Sequence, residues 1–229
     1  MEAVSMTPTL ENHMKAAENE WVDGWKRGPQ RLRWSKVPLQ VEDQAPDFEL
    51  PNSLGRMVSL SSHWHERPGL LLFWRHYGCG CGIDRAGRLK TEFLAYRDAG
   101  ANVLIIGQGE PERAAAYAQK YELPELPILC DPEFRSYQAY GLVEGKPSQI
   151  LFDAPAEFLD RDLDAGLKLA EERRKLGRPL VDNSWLLPGE FVIDTSGTVR
   201  LAYRYNYCED FPDYRVLTAA IREAKLGAS

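Results

Sequence analysis

FWRHYGCGCGID, residues 73–84, places two cysteines one glycine apart between two different sequence patterns. Before them runs GLLLFWR (residues 69–75), a continuous apolar stretch that predicts a strand buried on both faces of a sheet. After them, from about Gly82, the residues Ile83, Ala86, Leu89, Phe93 and Leu94 recur at helical spacing, and Gly100 is placed to end that helix. Cys79 and Cys81 therefore fall in a strand-to-helix turn. A helix start carries unsatisfied N–H groups and partial positive charge, which favour a thiolate. A free cysteine, with a pKa of about 8.5, needs such help at neutral pH. Arg75, His76 and Arg85 lie within a few residues and add to that field. Gly78, beside Cys79, lets a substrate approach the backbone closely.

Working outward, the same alternation continues. Ala101–Gly107 (ANVLIIG) reads as a second buried strand, Glu110–Leu123 as a helix with Pro111 in its first turn, and Pro127–Cys130 as a short third strand. A short helix follows and ends at Gly141. Upstream, Phe48–Leu50 and Met57–Leu60 flank the turn signal PNSLG. Downstream, Glu190–Asp194 and Thr198–Tyr205 form a hairpin across DTSG, and a last helix begins after Asp213, a candidate N-cap. Strand, helix, strand, helix, strand in this order predicts an α/β layer architecture with crossover connections.

Two segments lie outside this rhythm. Residues 1–39 read as a helical arm and linker, with Leu10, Met14, Ala17, Trp21 and Trp25 near one helix face and Trp34 and Val37 set to clasp the surface of the main domain. Residues 40–229 form that domain, interrupted at about 144–187 by a charged insertion whose helical stretch runs roughly from Ala156 to Leu176.

Composition narrows the function. A net charge of −6 gives no electrostatic footprint for nucleic acid or an anionic membrane. No apolar run reaches the length of a membrane span, and the N-terminal residues lack the basic start and apolar core of a secretory signal. The expected setting is the cytoplasm. Four cysteines are too few and too scattered for a disulfide scaffold, so a close pair in a reducing compartment is expected to be reactive or metal-binding. The four histidines fall in no zinc-finger spacing. No resident metal or cofactor is expected.

APDFEL (45–50), LLLFWR followed by Cys79, VLIIG (103–107), LCDPE with YQAYGL (129–142) and PGEFVIDTSGTVRLAY (188–203) together resemble the AhpC/TSA relatives, the peroxiredoxin-like branch of the thioredoxin-like superfamily. The likeness spans about residues 40 to 225 and implies a thioredoxin-like fold: a mixed central sheet with flanking helices. Long insertions before the final hairpin are typical of that branch. The site departs from the usual peroxiredoxin signature, Pro-x-x-x-Thr-x-x-Cys. Arg75 stands at the proline, Cys79 at the threonine and Gly82 at the peroxidatic cysteine. Against relatives with Arg after the strand and a Cys-x-x-Cys pair, Cys79 matches the first cysteine and Gly82 replaces the second. The thioredoxin-type site resembles this segment too, and there Pro188 takes the place of the cis proline that lies against the active cysteines.

The resemblance implies a thiol-dependent oxidoreductase, with reduction of peroxides through a sulfenate/disulfide cycle ahead of thioredoxin-type disulfide exchange. Cys79 is the expected nucleophile and Cys81 the resolving thiol. Arg75 contributes charge, and His76, Gly78 and Pro188 support the site. The substrate would be a peroxide or a disulfide, the partner that restores the thiols a thioredoxin or glutathione-type reductant, and a second copy of the chain is a further candidate partner. The non-enzymatic alternative is a module that binds a soft metal or a partner through the Cys-Gly-Cys pair, since two thiolates suit Cu(I). Buried, inert cysteines are the plainest alternative. Cys130 is read first as a buried hydrophobe, and Cys208, in the polar stretch YNYCEDFPD, as a lesser candidate for a resolving thiol.

Overall fold

The computed structural model describes residues 8–150, 156, 160–161, 163–176, 178 and 182–227. In chain order, helix α1 (Pro8–Arg27) leads to a small antiparallel hairpin, β1 (Glu49–Pro51) and β2 (Met57–Ser59). There follow β3 (Gly69–Phe73), α2 (Gly80–Ala99), β4 (Asn102–Gly107), α3 (Pro111–Lys120), β5 (Ile128–Cys130) and α4 (Arg135–Ala139). Two further helices, α5 (Pro147–Ile150) and α6 (Leu163–Lys175), precede β6 (Gly189–Ile193), β7 (Val199–Arg204) and α7 (Tyr214–Leu226).

Five strands form one mixed sheet in the order β5-β4-β3-β6-β7. The pairs β3–β4 and β4–β5 are parallel, whereas β3–β6 and β6–β7 are antiparallel. The side chains of β3 alternate between two cores, as the pleat requires. Leu70 and Leu72 join Leu89, Tyr96, Leu217 and Ile221 beneath α2 and α7. Leu71 and Phe73 join Phe191, Ile193, Tyr137 and Tyr140 on the other face. That two-sided burial is why β3 is apolar at every position.

Local signals place the helix ends. Gly100 takes φ 110° at the end of α2, a left-handed conformation that favours glycine. Asp213 caps α7, its carboxylate accepting from the Arg215 N–H at 2.9 Å. Helix α2 starts at Gly80, earlier than the apolar periodicity indicates, because its first turn is built from Cys79, Gly80, Cys81 and Gly82 and carries no periodic signal.

The arm is anchored by aromatics. Trp21, Trp25 and Trp185 are buried together; Trp25 stacks on Trp185 with centroids 5.5 Å apart, and the Trp185 indole donates to the Gly24 carbonyl at 2.7 Å. Ala170 of α6 closes this cluster, and the Arg174 guanidinium pairs with Glu18. Trp34 donates to the Gly141 carbonyl at 2.8 Å, as a clasp would, while Val37 stays exposed. In the expected helix at 156–176, residues 157–159 and 162 lie outside the described residues, as do 177 and 179–181 beyond it. The described helical part, α6, begins at Leu163.

Candidate active site: three thiols at one helix start

Strand β3 ends in the core at Phe73, and the next residues carry the chain across the C-terminal edge of the parallel strands. Trp74 donates to the Tyr117 hydroxyl at 3.1 Å, and its backbone N–H still bonds the Ile106 carbonyl at 2.8 Å. Arg75 follows, with 3% of its surface exposed. Its guanidinium donates to the carbonyls of Leu186 (3.0 Å) and Ser184 (2.9 Å). Those acceptors fix its geometry without neutralising its charge.

Cys79 is the N-cap residue of α2, extended at φ −75° and ψ 137°, and Cys81 lies within the first turn. The third thiol comes from far along the chain. Cys208 lies 3.7 Å from Cys79 and 3.2 Å from Cys81, sulfur to sulfur, and all three sulfurs lie within 4.8 Å of one another. All three are buried, at 6%, 3% and 5% exposure in chain order, with Phe211 packed beside them. The loop that carries Cys208 is held by α5: the Cys208 N–H donates to the Gln149 carbonyl at 2.9 Å, and the Gln149 side chain donates to the Asn206 carbonyl at 2.6 Å.

The three thiols are electrostatically unequal. Hydrogen bonds from Cys208 and Cys81 draw Cys79 well below the ordinary thiol range, outweighing burial, and Arg75 adds to the effect. Burial, then the neighbouring sulfurs, push Cys81 well above that range. Cys208, through its hydrogen bond with Cys79, is pushed up to about 12. Cys79 is thus the most readily ionised of the three. His76 differs from the expectation of a cationic neighbour: burial first, and then Arg75, hold it well below the ordinary histidine range, so its ring is neutral.

The supporting residues are partly as expected. The Gly78 carbonyl accepts a hydrogen bond from Arg173 of α6, whose guanidinium also lies 5.7 Å from the Trp21 ring centroid. Arg173 thus joins the turn that precedes Cys79 to Trp21 of the arm. Pro188 lines a cavity with Cys81, Cys208 and Phe211, but no peptide bond among the described residues is cis. Its bond takes the trans form that X–Pro prefers by about 0.5–1 kcal/mol. Gly82, at the position of the usual peroxidatic cysteine, lines the same cavity, and a Cβ there would lie 3.3 Å from the Tyr117 hydroxyl and 3.4 Å from Trp74 Nε1. Cys130 sits fully buried in the core beneath α2 and α3, outside the thiol cluster, with burial pushing it up to about 12.

A buried charge network borders the cavity. Arg85 donates to Glu190 and Glu92, both at 2.8 Å, and Tyr205 donates to Glu190 at 2.6 Å. The sequence indicates Arg85 as a basic neighbour of the thiols, but here it is neutralised by two carboxylates. Glu190 had no sequence signal beyond its place on a strand. Its one possible marker, a charge in an otherwise apolar run, is weak alone. The cavity is small, with space for about one water-sized molecule.

Comparison with known proteins bears on the family and the fold. The family model described as AhpC/TSA family matches residues 41–202, more than half of the chain. The chain belongs to the AhpC/TSA family. Peroxiredoxin Bcp of Escherichia coli is 29% identical over 105 residues, covering 46% of this chain and 66% of the relative. The chain thus spans just under two thirds of that relative's length. The thioredoxin-like protein AAED1, chloroplastic, of Arabidopsis thaliana is 26% identical over 91 residues, covering 40% and 36%. Among solved structures, peroxidoxin BcpB from Mycobacterium tuberculosis superposes with a TM-score of 0.57 at 17% identity, over 81% of this chain and 97% of that one. A yeast mitochondrial 1-Cys peroxiredoxin, described as resolved via glutathione/thioredoxin systems, gives 0.57 at 12% identity, over 83% and 78%. At these identities the structural likeness establishes the fold. This AhpC/TSA member has the thioredoxin-like mixed sheet flanked by helices.

Proposed function

We propose that this chain reduces peroxides through a thiol cycle centred on Cys79. The observation that carries the reading is the Cys79 sulfur at the start of α2, beside the buried Arg75 guanidinium and within reach of two further thiols. The thiolate attacks one oxygen of the peroxide. An S–O bond forms, the O–O bond breaks, sulfur loses two electrons, and the departing alkoxide or hydroxide takes a proton. The resulting sulfenic acid condenses with a neighbouring thiol, releasing water and leaving a disulfide. Cys81 is the partner expected from sequence. The geometry supports Cys208 as well, since its sulfur sits against both others.

Burial favours a small oxidant over a protein disulfide. With the three cysteines no more than 6% exposed and space beside them for about one water, hydrogen peroxide or a slender hydroperoxide fits the approach to Cys79. A thioredoxin-type dithiol, or two glutathione-type thiols, then restores the site by exchange and leaves as the disulfide, in a reducing compartment such as the cytoplasm. Thiol-disulfide exchange of the thioredoxin type uses the same nucleophile and is the second reading, but Pro188 without a cis bond weakens the likeness that suggested it.

The test is metal-free, reduced protein given one equivalent of hydrogen peroxide, followed by intact mass and peptide mapping. The expected product has lost two hydrogens and links Cys79 to Cys208 or Cys81. Repeated peroxide-dependent oxidation of added thioredoxin should follow, and Cys79→Ser should abolish it. Persistence of all free thiols would refute the reading.

A further inference from the structure

We propose that Cys79, Cys81 and Cys208 also form a three-coordinate site for a soft monovalent metal ion, Cu(I). This goes beyond the peroxidase reading and adds a third donor, Cys208, to the soft-metal alternative that the Cys-Gly-Cys pair suggests. The donors converge from two distant parts of the chain with sulfur separations of 3.2 and 3.7 Å, all within 4.8 Å. Three sulfurs placed about 2.3 Å from one ion in a plane stand about 4 Å apart. The cluster meets that spacing with shifts of less than about 1 Å.

The donor set selects the ion. Three thiolates are soft ligands, suited to Cu(I). A structural zinc site closes with four ligands, and among the described residues no histidine, carboxylate or fourth cysteine joins this group. Burial limits competing water.

Charge makes the same point independently. Cu(I) held by thiolates is an anionic unit, and a buried charge needs an opposite one. Among the described residues Arg75 has no carboxylate ion-pair partner; the oxygens it donates to are two neutral carbonyls. Its side chain lines the same cavity as Cys81 and Cys208. The guanidinium and the start of α2 thus offer the positive potential that a thiolate-bound ion requires. On loading, Cu–S bonds form, the remaining thiol protons pass to solvent, and neither sulfur nor copper changes oxidation state. A loaded cluster withholds Cys79 from peroxide, so occupancy and oxidation exclude each other.

The experiment uses the full-length reduced chain under anaerobic conditions, titrated with Cu(I) supplied as its acetonitrile complex and challenged with bicinchoninate as a competing chelator. One ion per chain should be retained, and X-ray absorption should give a first shell of three sulfurs. Cys208→Ser should weaken retention by at least about tenfold and reduce the shell to two sulfurs, whereas Cys130→Ser should bind as the unaltered chain does. Complete loss of copper to the chelator, nitrogen or oxygen donors in the shell, or full affinity in Cys208→Ser would each overturn the proposal. The shell of the unaltered chain needs no variant, so a misfolded mutant cannot decide the result. Peroxide turnover, measured separately on metal-free protein, distinguishes failure here from failure of the peroxidase reading.

Discussion

Cys208 Sγ lies 3.2 Å from Cys81 Sγ although 127 residues separate them in the chain. The first prediction rests on that contact. In Cys208→Ser, Cys79 should still be oxidised by peroxide, but trapping of the sulfenic acid should slow and over-oxidised sulfinic acid should accumulate. Mass spectrometry after stepwise peroxide addition reads this directly. Unchanged disulfide yield and rate would assign resolution to Cys81 alone.

The unequal thiols predict a pH profile. Because Cys79 is held well below the ordinary value near 9, its reaction with peroxide should persist to lower pH than that of a free cysteine before it declines, as the thiolate takes a proton. Stability follows the same signs. The share from Cys79 is present above its unfolded value and is lost as pH falls through the folded one. Cys208, pushed up to about 12 from 9, acts oppositely: its share is present below pH 9 and is lost as pH rises toward 12. Stopped-flow peroxide oxidation and melting curves, compared with Cys208→Ala, measure both.

Arg75→Met should affect both chemistry and fold. It removes two buried charge-assisted hydrogen bonds, each worth about 1.5–3 kcal/mol, so denaturant melts should show a loss of a few kcal/mol. It also removes positive charge beside the reacting sulfur, and the second-order rate with peroxide should fall by about 10²-fold. A variant oxidised at the original rate would leave Arg75 with a structural role only.

Gly82→Cys restores a thiol at the usual peroxidatic position, yet it should not rescue Cys79→Ser. The new side chain would point toward Tyr117 and Trp74 Nε1, at 3.3 and 3.4 Å from its Cβ. Peroxidase activity in the double variant would show that the backbone turn can re-aim this position.

Trp185→Ala should release the arm. The ring stacks on Trp25 and its indole donates to Gly24, and such a truncation costs about 3–5 kcal/mol. Limited proteolysis should then cut near Gly28 much faster than in the unaltered chain, with the sheet core protected.

Local features are the ones legible in the sequence. The buried strands β3 and β4 are written in continuous apolar runs, and the ends of α2 and α7 in Gly100 and Asp213. Arg75 needed a partner by simple electrostatics, and the structure gives it two carbonyls and a thiol cluster. The site was legible only in half. Cys79 and Cys81 announce themselves by spacing, whereas Cys208 sits in a polar stretch and becomes buried because a loop tethered by Gln149 folds back over the sheet edge. The Tyr203–Tyr205–Tyr207 alternation suggested nothing beyond a strand face, but Tyr205 is buried and bonded to Glu190. Pairings made by tertiary packing leave no trace in the spacing of either partner.

The separation between Cys79 and Cys208 has a consequence for the molecule as a whole. A covalent link between these sulfurs would close a loop of 129 residues that carries four of the five strands of the sheet, β4 to β7. Closing a loop of that length removes enough freedom from the unfolded chain to stabilise the native one by about 5 kcal/mol in the chain-entropy view. Oxidation would then act as a reversible staple, and the melting temperature of the protein would record whether it had last met a peroxide or a reductant.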